Sequence, residues 1–211
     1  ANRPQMVQSP LDGTALGWHL DENSVIVQIR DNSFKLEVPA QPNVYGGSGN
    51  LDGGDDLAGK RKPRAFGHLS NITPALVIPS EAVYQVNDGR VEDVDAVYDT
   101  GAALTFSADY DTGAALRAAT LVPGQYATCN AEGLFRLGGS AFGTVTCDVQ
   151  GDTAGADYAI LTVSAILREI ITTAADVDDP DDLVVYTFDD LADDQPATIG
   201  YYLDPLSTKT C

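Results

Sequence analysis

The chain has 211 residues, an apolar fraction of 44% and a formal net charge of −19. That length holds one or two domains, and that apolar fraction supplies a real core, which excludes a disordered chain. The charge argues against nucleic-acid or anionic-membrane binding over most of the surface, and no apolar run approaches the length of a membrane span.

Of the 31 acidic residues 25 are Asp and six are Glu. Asp favours turns over helix interiors, so the bias predicts a loop-rich β protein that stays soluble at high salt. The chain opens ANRPQM, with neither Met nor signal peptide, and stops at Cys211 after the polar run STKT. It reads as a trimmed or partial chain. Three cysteines make no disulfide scaffold. Cys129 and Cys147 flank an expected hairpin and could face each other, but two buried free thiols fit a cytoplasmically assembled protein better.

In chain order, Pro10 and Gly13 mark a turn, and Trp18 is the only tryptophan. Ser24 to Ile29 is a β-branched run and reads as a strand. Phe34, Leu36 and Val38 alternate with Lys35 and Glu37 as a half-buried strand that Pro39 ends.

The stretch from Tyr45 to Thr73 holds seven of the twenty glycines and four of the twelve basic residues. So many glycines license backbone with positive φ and close approach of another chain, and loops this long are usually functional or flexible. Leu51 to Asp56, LDGGDD, lacks the ligand spacing of a calcium loop and reads as a solvated acidic turn. The bases at 60–64 read as a local counter-charge for an acidic surface, including that of a neighbouring subunit. The residues expected to contact another subunit are Tyr45, Gly46, Gly47, Lys60, Arg61, Lys62 and Arg64.

Residues 75–78 and 82–86 are apolar runs split by Pro79 and Ser80. Asn87-Asp88-Gly89 signals a tight hairpin. Val91, Val94 and Val97 mark the next strand, Tyr98 to Gly101 a turn, and Leu104 with Phe106 another strand. The spacing is that of a β-meander. YDTGAAL occurs at Tyr98 to Leu104 and again at Tyr110 to Leu116. The interval is too short for a solenoid unit, and turns are expected in both copies.

Gly124 to Thr128 and Leu134 to Leu137 read as strands. Thr144 to Val149 returns as a hairpin, with Val145, Cys147 and Val149 on one face. Residues 158–175 carry apolar side chains at three- and four-residue spacing, the one clear helix, with Asp157 as N-cap. Nine aspartates then fall between Asp176 and Asp194. Leu183 to Thr187 reads as a short strand, Phe188 to Leu191 as a helical turn and Ile199 to Leu203 as a strand. Asp178 to Asp182, DDPDD, reads as a hydrated acidic loop rather than a cation site.

The expected fold class is mainly β with one amphipathic helix (α+β), built from antiparallel meander or barrel-like sheets and long Gly-rich loops. Four segments are expected. Residues 1–44 form a strand-rich opening, 45–74 a Gly-rich basic loop arm, 75–152 the β-rich body, and 153–211 the helix with an acidic tail.

The sharpest enzymatic motif is D-T-G, at Asp99 to Gly101 and Asp111 to Gly113. Aspartic proteases use it so that two aspartates share one proton. Here the copies sit on successive turns, so only a homodimer working through Asp99 would serve. His19 and His68 have no nucleophile elbow to serve, and no basic neighbour lowers the pKa of Cys129. No catalytic, cofactor or metal set is expected.

Several stretches together resemble bacteriophage and prophage tail proteins of the tail-tip, hub or baseplate type. They are YGGSGNLDGGDDLAGKRKPRAFGHLSNITPALVIPS (45–80), VYQVNDGRVEDVDAVYDTGAAL (83–104), YATCNAEGLFRLGGSAFGTVTCDVQGD (126–152) and TIGYYLD (198–204). The four stretches hold 92 of the 211 residues, and the resemblance rests on pattern, not on a catalytic signature. It implies a structural protein of the virion tail, assembled in the host cytoplasm as a ring or trimer around the tail axis. It implies other tail or baseplate proteins as partners, no specific nucleic-acid binding and no membrane insertion. A secreted β-sandwich binding module, calcium-dependent and carbohydrate-directed, is the second reading. A dimeric aspartic protease is a remote third.

Overall fold

The structure is a computed structural model that describes residues 13–22, 24–31, 35–155, 160–175 and 185–205. β1 (Gly13–Asp21) and β2 (Ser24–Asp31) form an antiparallel hairpin that pairs with no other strand among the described residues. Next come β3 (Arg64–Phe66), β4 (His68–Ile72), β5 (Ala75–Ile78), β6 (Val83–Gln85), β7 (Val91–Asp99), β8 (Ala102–Ala103) and β9 (Thr105–Asp109). A short helix, α1 (Gly113–Ala118), precedes β10 (Gln125–Cys129), β11 (Leu134–Leu137) and β12 (Val145–Asp152). Helices α2 (Val163–Ala175) and α3 (Val185–Asp194) and strand β13 (Tyr201–Leu203) follow. Among the described residues the fold is mainly β with three α-helices, an α+β architecture.

One sheet runs β5-β6-β11-β10-β9 and a second β4-β12-β7-β8, while β13 pairs with β3 as a separate ribbon. Every pairing is antiparallel except β9 with β10, which is parallel. A parallel pair needs a crossover, and α1 supplies it. The main core joins the two large sheets through Tyr84, Val86, Val94, Val97, Phe135, Leu137, Cys147 and Val149. β12 buries every second residue, as period two requires of a strand with one covered face.

The body contains an internal two-fold. In each half a strand enters a 3₁₀ turn, Pro79–Glu81 or Asn130–Glu132. Each turn ends on a left-handed residue, Ala82 (φ 53°) or Gly133 (φ 61°), and a second strand leaves it. These second strands, β6 and β11, pair antiparallel with Tyr84 opposite Phe135. The two rings stack at 5.1 Å. The amide of Val86 donates to the Gly133 carbonyl (2.9 Å) and that of Leu137 to the Ala82 carbonyl (3.1 Å), the same bond made twice. The strands that follow, β7 and β12, also pair with each other.

Several expected elements differ. Asn87-Asp88-Gly89 is no hairpin, because β6 and β7 lie in different sheets. The buried Asn87 side chain makes it a corner, accepting from the Ala65 amide and donating to the Arg90 carbonyl. The meander fails for the same reason, and β11 and β12 likewise do not pair. Residues 35–36 are a 3₁₀ turn and not a strand. Leu183 to Thr187 is no strand, since Val185 already begins α3. Helix α2 starts at Val163, where the Thr162 hydroxyl accepts from the Ala165 amide; Asp157 lies outside the described residues, as do Phe34, Pro10 and the run 178–182.

Helix α2, strand β13 and residues 40–41 are built into the body. Ile166 and Ile170 of α2 pack with Ala40, Phe66 and Leu203. Gly67 (φ +69°) and Gly200 cross here, and a Cβ on Gly67 would strike the Ile199 carbonyl, so both positions need glycine. The Gln41 amide donates to the carbonyls of Lys62, Leu203 and Asp204. No described helix is long and apolar enough to cross a membrane.

Phe135→Ala opens a cavity at the seam between the halves. It should cost about 3–5 kcal/mol, read as a lower midpoint in urea unfolding.

Candidate assembly surface

The Gly-rich stretch folds onto its own body. Its ends pair: the Tyr45 amide donates to the Lys60 carbonyl, the Gly59 amide to the Tyr45 carbonyl, and Val44 bridges to Arg61. Inside it the Asp52 carboxylate accepts from the Gly46 amide (2.9 Å) and the Ser48 hydroxyl (2.7 Å). These bonds hold its carboxyl below the usual range, the Gly46 amide contributing most. Of the LDGGDD turn, then, Asp52 serves to fold the loop.

Tyr45 is 0% exposed and packs with Leu57, Val77, Ile78 and Val83. Its hydroxyl donates to Gln85 Oε1 at 2.6 Å. Burial, then the nearby Asp88, raise its pKa and keep it protonated. Tyr45 therefore does not contact a second subunit. Arg64 is also inward, only 5% exposed. It bonds Asp152 (3.0 Å), Glu169 (3.2 Å) and Thr173 (2.6 Å), with Phe66 beneath its guanidinium. Burial raises the Glu169 pKa, against the lowering effect of Arg64. Lys62 lies 3.8 Å from Asp88 and over the Tyr45 ring, and Arg61 donates to the Gln41 carbonyl. Two members of the basic cluster, Lys62 and Arg64, thus meet acids of their own chain. Of the expected contact residues, Gly46 is exposed and Gly47, Lys60, Arg61 and Lys62 are half-buried.

The surface best formed for assembly lies elsewhere, on the β1–β2 hairpin. Every described side chain of it is exposed, from Ala15 to Glu22 and Ser24 to Arg30. Trp18 pairs with Val27 and Leu20 with Val25, and Ile29 falls on the same face. Leu16 sits at a bulge beside them. The other face carries His19, Asp21, Ser24, Ile26 and Gln28. Trp18 is 69% exposed and Leu20 71%. An isolated two-stranded hairpin is marginal in water, and an uncovered face with this run of large apolar side chains marks an interaction site. The signal was in the sequence: Leu16, Trp18 and Leu20 alternate with Gly17, His19 and Asp21, two residues before a second β run.

The D-T-G motifs are structural. Asp99 accepts from the amides of Phe142 (2.7 Å) and Gly143 (3.1 Å) and from the Thr100 hydroxyl (3.0 Å). Those bonds, the Phe142 amide first, hold its pKa down. Thr112 of the second motif caps α1, accepting from the Ala115 amide. Cys129 and Cys147 are free, buried thiols on strands of different sheets. Burial pushes Cys129 up to about 11 and raises Cys147 too, so neither is a thiolate near neutral pH. His68 is exposed on β4.

Beside Asp99 lies a mostly apolar cleft of about 330 Å³ formed by Leu104, Pro123, Leu137, Gly138 and Phe142. Phe142 is 98% exposed at its rim. Comparison with known protein families, characterised proteins and solved structures finds no match to the chain.

Arg64→Ala leaves Asp152 and Glu169 facing each other and should cost about 3–5 kcal/mol. Lys60→Ala should stay within about 0.5 kcal/mol; both are read by chemical denaturation. Asp99→Asn should cost about 1–3 kcal/mol. Its folded pKa is depressed, so the Asp99 contribution is present above the ordinary carboxylate pKa and lost as pH falls through the folded value. The variant's melting temperature should therefore fall less steeply with acid than that of the unaltered chain.

Proposed function

We propose that the chain is a structural subunit of a phage tail tip, in the hub or baseplate, and acts as an oligomer around the tail axis. The observation that carries this reading is the β1–β2 hairpin, whose apolar face no other described element covers. A dense two-sheet body bearing one exposed apolar ribbon suits a part whose task is to hold neighbours together. The resemblance of residues 45–80, 83–104, 126–152 and 198–204 to tail-tip proteins supports the same reading. In it the protein is not an enzyme, its partners are other tail proteins and copies of itself, and its place is the virion, reached by assembly in the host cytoplasm. Its negative charge suits a conduit that must not hold passing DNA by charge.

The test is peptide mass spectrometry on density-gradient-purified particles from the source culture, before and after a high-salt wash. The chain should co-sediment and survive the wash. Recovery only as free protein in the medium would overturn the tail reading in favour of a secreted binding module. Deleting residues 13–31 should leave the melting temperature of the purified chain within a few degrees, since the hairpin's side chains are not buried in the body, while abolishing incorporation into particles.

A further inference from the structure

We infer that the hairpin's occupant is a second copy of this chain, and that its Trp18 face seats against the cleft beneath Phe142 of that copy. The inference rests on reading the chain as an assembly subunit and names the contact that joins the subunits.

Charge restricts where two copies can meet. Each carries a net −19, so a shared surface must leave carboxylates out. On the hairpin face of Trp18, Leu20, Val25, Val27 and Ile29 the one carboxylate in register is Asp31, at the open end of β2 beyond Ile29 and opposite Gly13. The cleft contains one, Asp99, whose oxygens already accept from the Phe142 and Gly143 amides. Beside the cleft, Phe106 and Val122 stand 51% and 56% exposed. β9, which carries Phe106, is an edge strand with no partner on its outer side among the described residues.

Size agrees. Five or six apolar side chains burying roughly 100 Å² each, matched by the cleft and its rim, give roughly 1,200 Å² in all. That reaches the lower bound of specific interfaces. Tryptophan seated in a pocket is the favoured anchor of such contacts, and about 330 Å³ of cleft is ample for one indole.

The contact cannot be made within one chain as it is folded here, because Trp18 and Phe142 are both exposed. Hairpin and cleft are different surfaces, so each contact is head-to-tail, the kind that builds a ring where the rotation closes.

The test uses sedimentation velocity on the whole chain across concentration and salt. The unaltered chain should associate, and more strongly as salt screens the repulsion. Trp18→Glu and Phe142→Glu, both at exposed sites, should keep the melting temperature and each weaken association at least tenfold. Mixed, the two variants should form a two-chain complex that grows no further, because one intact hairpin meets one intact cleft. A mixture that stays monomeric, or a Phe142→Glu chain that associates normally, overturns the contact. So does an unaltered chain that is monomeric throughout, which would assign the hairpin to a different protein. Particle mass spectrometry is independent: a monomeric chain found in virions overturns only this contact, and an associating chain absent from virions overturns only the tail reading.

Discussion

The pairing of β6 with β11 is the constraint on which the body depends. Tyr84 and Phe135 stack across it, and the flanking amides of Val86 and Leu137 are bonded reciprocally to Gly133 and Ala82. From this seam each half sends its next strand, β7 or β12, into the opposite sheet, where the two meet again. The seam also orders α1. Glu132 accepts from the Gly113 amide at one end of that helix, and Glu81 binds Arg117 in a bidentate pair near the other. Arg136 donates to the carbonyls of Leu116, Arg117 and Ala119 that close it. A six-residue helix has little stability of its own, so its place in the parallel crossover is set by the two equivalent turns. The seam has the self-complementary form of a two-fold dimer interface, here made within one chain.

Much of the strand content was legible, because β-branched runs with period two need a half-buried sheet. The alternation of Val145, Cys147 and Val149 fixed the inward face of β12. What sequence did not reveal was which strands pair. The corner at Asn87 and the turn at Gly101 carry similar turn chemistry, yet one changes sheets and the other makes a true hairpin. The heptapeptide YDTGAAL shows the limit most plainly. Its first copy ends β7, turns through Thr100 (φ 53°) and Gly101 (φ 81°), and enters β8. Its second places Thr112 as a helix cap and Gly113 to Leu116 in α1. The seven residues are the same; β12 beside the first copy and Glu132 beside the second decide between strand and helix. The internal two-fold was illegible because, of residues 78–86 and 129–137, only Glu81 and Glu132 are identical at matched positions.

The charged groups show a related division. Arg64, Arg117 and Arg136 all point to acids or carbonyls of their own chain, as do Arg61 and Lys62. These cations are thereby drawn into internal bonding, while most of the described aspartates are exposed. The surface another molecule meets is thus more one-sided in sign than the residue count alone suggests, and a mostly apolar face is the place where approach meets least repulsion.

The crossing of Gly67 with Gly200 bears on how the chain acquires its fold over time. β3 is completed only by β13, and the Gln41 amide reaches carbonyls 162 and 163 residues further along. A chain made from its N-terminus must hold β3 and the underside of Phe66 open until β13 emerges. Contacts so distant close slowly. The interval in which β3 is open to wrong partners therefore lasts until β13 has been made, after the strands of the two-sheet body are already present.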